Sequence, residues 1–284
     1  MPQPTFVFVH GNYASAQYWA WTTQELALRG HRALAVDLPG HGTDAHIPGS
    51  YFSQDLEALA TEPSPTASIT SDDMVAHVED IVRRAHPNGP VILAGHASAG
   101  VILNLVANRV PDLLARLVYL SAFCCTDLPT MSAYTPGAIE TEEHRAFSEM
   151  VDLRDMIERL GVIRINWARD DPRQHAAFKA LNAHTCSDAE VRALRNQLQP
   201  DEPASLVVTD ARGNPDTWGR VPRTFIRFAQ NRFLPPELQD RWIAEADRLT
   251  PGNPFDVHTV DVPHFAPRSQ EVVDILHGLA TRSG

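Results

Sequence analysis

The sequence predicts an α/β fold, a mostly parallel sheet with helices on both faces and an inserted helical cap. Three observations predict it. Short β-rich runs alternate with stretches of helical spacing through residue 125. Each run is apolar on both faces, the pattern of a strand covered from both sides, as parallel strands are. The alternation stops near residue 126 and resumes near 221.

In chain order, "TFVFVH" (5–10) reads as a continuous apolar strand, and "ASAQYWAWTTQELALRG" then has helical spacing and ends at Gly30. "HRALAVDL" (31–38) is the next strand. "ITSDDMVAHVEDIVRRAH" (69–86) opens with Thr70 and Ser71 as cap candidates and acids in its first turn, the signs of a helix start. "PVILAGHA" (90–97) and "RLVYLSAF" (116–123) are two more strands, separated by a helix from about residue 99 to 110. From 126 to 220 the chain is polar, helical in pattern and irregular, with no convincing strand before "SLVVTD". "RTFIRFAQ" (223–230), a helix around 236–249, "FDVHTVDV" (255–262) and a terminal helix from about 268 to 281 complete the pattern. The last strands need the earlier ones to form a sheet. The expected organisation is therefore a core of 1–125 and 221–284 carrying a cap of 126–220.

Composition bounds the function. A chain of 284 residues with 43% hydrophobic side chains can bury one large core. Formal net charge is -11, and the basic residues, of which Lys179 is the only lysine, are scattered. Nucleic acid and membrane surfaces are therefore not expected as partners. Cys124, Cys125 and Cys186 are an odd number with two adjacent, which reads as reduced thiols in a cytoplasmic protein. "MPQPTFVFVHG" has no basic region and no long apolar run, so no secretory signal is expected, and no stretch approaches the ~20 apolar residues of a membrane span. The histidines include no His-Glu-x-x-His and no tight Cys/His grouping, so no metal site is expected.

Three pieces converge at the C-terminal ends of predicted strands, where open parallel sheets place their sites. They are His10-Gly11-Asn12-Tyr13, Gly95-His96-Ala97-Ser98-Ala99-Gly100, and His264 in "DVPHFAPRS". The second has the form of a nucleophile elbow, a strained turn that needs small residues two positions either side of the nucleophile. Centred on position 97, those flanks are Gly95 and Ala99. Centred on Ser98 they are His96 and Gly100, and an imidazole would have to fit where almost no side chain does. The register falls on Ala97, so the nucleophile position holds a methyl group. Two readings stay open: an inactivated form of a serine enzyme, or a protein that naturally lacks a nucleophile and binds or rearranges its ligand. Losing a triad serine costs on the order of 10⁶ in turnover in a well-studied serine protease.

Together these pieces resemble the α/β-hydrolase superfamily, and within it the methylesterase and hydroxynitrile-lyase branch with its bacterial esterase relatives. The resembling stretches are "FVFVHGNYASAQYWAWTTQELALRGHRALAVDLPGHG", the elbow strand, "RTFIRFAQNRFLPPELQ" and the final histidine segment. They cover most of the predicted core and none of 126–220. The resemblance implies His264 as general base, and the backbone N–H groups of Asn12 and Ser98 as the oxyanion hole. It implies no metal, no organic cofactor, and a small or medium ester, thioester or lactone as ligand. The catalytic acid is where the pattern departs. The family usually supplies Asp or Glu after the penultimate strand, where this chain has Asn231; Asp127, after strand 116–123, is the alternative, and a plain loop-capping aspartate reads equally well there. Tyr13, His96, Trp167 and His184 are candidate substrate contacts, with Phe178 and Trp218 as further apolar candidates, although core packing gives the same pattern. The expected activity is carboxylic-ester hydrolysis, absent in the chain as written because of Ala97. The alternatives are a lyase, cyclase or isomerase using His264 as acid and base, or a ligand-binding protein.

Overall fold

The computed structural model describes residues 3–135, 141–149 and 153–282. Six parallel strands form the central sheet: β1 (Thr5–Val9), β2 (Arg32–Val36), β3 (Val91–His96), β4 (Leu114–Leu120), β7 (Arg223–Phe228) and β8 (Asp256–Val260), in the order β2-β1-β3-β4-β7-β8. β5 (Val162–Arg164) and β6 (Asp201–Pro203) pair antiparallel outside it. The two-sided apolar runs explain the layering. In β1, Val7 and Val9 enter one core cluster while Phe6 and Phe8 enter the other, and β3 divides Leu93 from Ile92 and Ala94 in the same way.

The helices form where the start and stop signals place them. Ser71–Ala85 carries a complete capping box, with Thr70 and Asp73 exchanging side-chain and backbone bonds. Pro236–Leu249 begins with proline in its first turn, where a missing N–H is harmless. Gly30, which ends the first helical segment, takes a φ of +85° that a side chain would strain.

The segment between β4 and β7 departs from the sequence expectation in two places. β5 and β6 are too short to show a strand pattern; they are joined by Arg164, whose guanidinium grips the Asp201 carboxylate at 2.6 and 2.8 Å in a buried pair. "SLVVTD" forms a short helix over Ser205–Val208, with Leu206 buried and Val208 facing solvent. Residues 136–140 and 150–152 of the expected cap lie outside the described residues.

Candidate active site

The turn after β3 leads into the helix Ala99–Arg109, and its left-handed residue is Ala97, with φ +53°. Ser98 has an ordinary helical φ of -63°. Non-glycine residues avoid positive φ, so the strain sits on the residue that the flanking rule selected. A β-carbon on Gly95 would lie 2.8 Å from the Ala99 methyl, and one on Gly100 would run into the Phe123 carbonyl oxygen. The His96 ring escapes the turn by stacking between Tyr18 and Phe228, at 5.1 and 5.9 Å. Gly11 brings the first strand's turn against this elbow, since a β-carbon there would be 3.3 Å from the Ala97 methyl.

His264 follows β8 and is buried, 4.6 Å from the His96 ring. Burial, then the neighbouring His96, holds its pKa well below 6.5, so it is neutral at physiological pH. Its partner is Asn231. The Asn231 Oδ1 accepts the Phe233 and Leu234 N–H groups at 2.9 and 2.8 Å, which fixes which way the amide faces. Its Nδ2 therefore points the other way, donating to Ser121 Oγ at 2.8 Å and to His264 Nδ1 at 3.0 Å. A primary amide nitrogen only donates, so Nδ1 accepts and the ring proton resides on Nε2. This is the reverse of a triad histidine, whose Nδ1–H donates to a carboxylate while Nε2 takes the nucleophile's proton.

Asp127 stands elsewhere. It is exposed and paired with Arg248, with no contact to His264 among the described residues. Asn231, not Asp127, is the side chain against the imidazole. Ser121, at the end of β4 with φ +42°, completes this cluster and was not selected from the sequence. A small polar residue at a strand's C-terminal end, followed by Ala122, was the available signal.

On the other side, the Asn12 N–H donates to Ser98 Oγ at 2.9 Å, so the hydroxyl of Ser98 occupies that donor. Tyr13 has φ +61°, and its N–H donates to the buried Glu202 carboxylate at 2.6 Å. Glu202 also faces His41 Nε2 at 3.1 Å, while His41 Nδ1 lies 3.0 Å from the Pro39 carbonyl. Burial lowers the His41 pKa, but the Glu202 carboxylate, the Pro39 carbonyl and the Asp37 charge together outweigh that and raise it. Glu202 and His41 escaped the sequence analysis because their pairing spans 161 positions.

The remaining candidates lie in different parts of the structure. Trp167 meets Tyr13 edge-on at 5.3 Å and donates its indole N–H to the Gln199 carbonyl. Phe178 packs between Trp167 and Phe265, at 5.7 and 5.8 Å. Trp218 instead lies in the core, donating to the Tyr119 hydroxyl at 2.8 Å beneath Arg223, because the chain returns to the sheet before β7. His184 lines a cleft of about 500 Å³ with Leu181, Gln230, Asn231 and Arg232; among the described residues this cleft reaches neither Ala97 nor His264. Burial pushes the Cys125 thiol up to about 12 and Cys124 higher still, so neither is a nucleophile at neutral pH. Among the described residues no group of three or more His, Cys, Asp or Glu side chains is placed to hold a metal ion, and no helix is long and apolar enough to cross a membrane.

Comparison with known proteins agrees with this architecture. The chain is 28% identical over 144 residues to the carbendazim hydrolyzing esterase of Nocardioides sp. (strain SG-4G); the match spans 50% of this chain and 51% of that relative's length. It is 24% identical over 254 residues to methylesterase 1 of Arabidopsis thaliana, covering 84% of this chain and 82% of the relative. An extracellular alpha/beta-hydrolase from a Paenibacillus species superposes with a TM-score of 0.70 at 20% identity, over 99% of both chains. A pyrethroid hydrolase from Sphingobium faniae JZ-2 does so with a TM-score of 0.67 at 17% identity, over 98% of this chain and 97% of the other. The model of the alpha/beta hydrolase family matches residues 6–275, and the chain belongs to that family.

Proposed function

We propose that this chain has the architecture of a serine-type carboxylic-ester hydrolase with acyl transfer disabled at two positions. It binds a small to medium apolar ester, methyl ester or lactone at this site without hydrolysing it. The observation that carries this reading is the pinned amide of Asn231. Ala97 removes the nucleophile, and Asn231 reverses the proton on the histidine that would have activated it. A single substitution made to disable a serine enzyme accounts for the first of these and not the second.

With serine at 97 and aspartate at 231, the serine would attack the acyl carbon. His264 would take its proton and return it to the leaving alcohol, while donors from Asn12 and Ser98 hold the oxyanion. In the chain as it stands, His264 offers a hydrogen-bond donor at Nε2. That observation favours a second reading: chemistry of the lyase, cyclase or isomerase kind, in which neutral His264 polarises a ligand oxygen by hydrogen-bonding to it through Nε2–H. The buried thiols and the absence of a disulfide among the described cysteines suit a cytoplasmic setting.

The test uses phenyl acetate. The chain is expected to bind it saturably in ligand-detected NMR, to return it intact, and to gain no acyl adduct by intact mass. Ala97→Ser/Asn231→Asp is expected to hydrolyse it and to be labelled once by a serine-reactive phosphonate. Adduct formation on the unaltered chain, or an inert double variant, contradicts the reading.

A further inference from the structure

We propose that the Ser98 side chain is itself a ligand contact: its hydroxyl donates to the carbonyl oxygen of the bound ester, with the Asn12 N–H behind it. This rests on the ester-binding reading above.

The Asn12 N–H donates to Ser98 Oγ at 2.9 Å. A serine hydroxyl has one proton to give and two lone pairs to receive with, and this contact uses a lone pair. The proton is still available, and no described residue is placed to accept it. Ser98 as a residue is buried, with 4% of its surface exposed. A ligand oxygen at that position would use the donor capacity that the Asn12 contact leaves free.

The surroundings point the same way. Ser98 stands at the start of the helix Ala99–Arg109, where the first backbone N–H groups have no carbonyl a turn earlier and the dipole favours negative charge. Its N–H and O–H both follow directly on Ala97, the residue at the strained turn. The Asn12 N–H, by donating into Oγ, polarises the hydroxyl and makes it a better donor. The receiving group in this protein is therefore a serine hydroxyl, set one hydrogen bond further from Gly11 than a direct Asn12 contact would be.

Because Ala97 leaves an ester unconsumed, phenyl acetate labelled at its carbonyl carbon can be held on the chain and its C=O stretch read by difference infrared spectroscopy. The expected result is a lower stretch on the unaltered chain than on Ser98→Ala, with Ser98→Thr restoring it. In the Ala97→Ser/Asn231→Asp background, Ser98→Ala is expected to lower kcat by about 10²–10³-fold, the usual effect of deleting one oxyanion donor, with KM nearly unchanged and recovery in Ser98→Thr. If Ser98→Ala does not fold, Ser98→Cys, which keeps the shape and weakens the donor, carries the same comparison. A bound ester with the same stretch in every variant overturns the proposal and leaves the ester-binding reading standing. No saturable binding of phenyl acetate overturns both.

Discussion

Restoring serine at position 97 alone is expected to recover very little activity, because Asn231 holds His264 in the wrong protonation form. Turning the Asn231 amide over would break its bonds from Phe233 and Leu234, about 1 kcal/mol each, and set its NH₂ against two N–H donors. The Nε2–H form therefore persists and cannot receive a serine proton. Aspartate at 231 fits the same cradle: one oxygen on the two backbone N–H groups, the other accepting from the Ser121 hydroxyl and His264 Nδ1–H. In trypsin the corresponding loss of charge and tautomer lowers turnover about 10⁴-fold, or roughly 5 kcal/mol of barrier. Ala97→Ser/Asn231→Asp should exceed Ala97→Ser by that order in kcat/KM, measured from initial rates on p-nitrophenyl acetate. If the serine variant comes within about tenfold of the double variant, a difference of only ~1.4 kcal/mol, the tautomer argument is wrong.

Other outcomes follow from the same geometry. Adding Asp127→Asn to the double variant should leave its activity unchanged and shift stability by less than about 1 kcal/mol, since an exposed pair with Arg248 contributes little; a collapse in turnover would identify Asp127 as the acid. Gly100→Ala should destabilise by about 1–3 kcal/mol because its methyl meets the Phe123 carbonyl, whereas Gly252→Ala, with nothing within 4 Å, should be near neutral in the same urea titration. Burial holds His10 at about 3 and His96 at about 4, and His264 is also depressed. These groups stay neutral in the fold but charge in the unfolded chain below the ordinary value of 6.5. Stability should be fully present above pH ~6.5 and fall towards pH ~4 by about 1.4 kcal/mol per pH unit for each of His10 and His96, with a further loss of the same sign from His264. A flat unfolding free energy across that range would contradict the burial of neutral histidines. The raised pKa of His41 acts in the opposite sense, contributing at lower pH and fading as pH rises through it.

The parts of this molecule written locally were legible, and the parts made by distant contacts were not. Apolar runs and caps placed the sheet strands to within a few residues and the helix 236–249 at its observed ends, because strand alternation and capping act over a few positions. Gly95 and Ala99 located the strained residue by sterics alone. The small β5–β6 pair depends on Arg164 meeting Asp201, 37 positions away, and shows no periodicity of its own. Asn231 was visible as a departure from the family pattern, yet its consequence was not. That consequence needs the orientation of an amide, set by two backbone N–H groups whose direction only the folded turn defines. The Ser98 hydroxyl was likewise hidden behind its own backbone N–H, since nothing in the sequence says that Asn12, 86 positions earlier, points at it.

The central claim is that the site presents neutral His264 as a hydrogen-bond donor at Nε2. The most direct measurement is the ring nitrogen spectrum of His264 by long-range proton–nitrogen NMR at neutral pH, assigned with His264→Gln. The account predicts a bare, accepting Nδ1 and a protonated Nε2, exchanged for the opposite arrangement in Asn231→Asp. A protonated Nδ1 in the unaltered chain would contradict it.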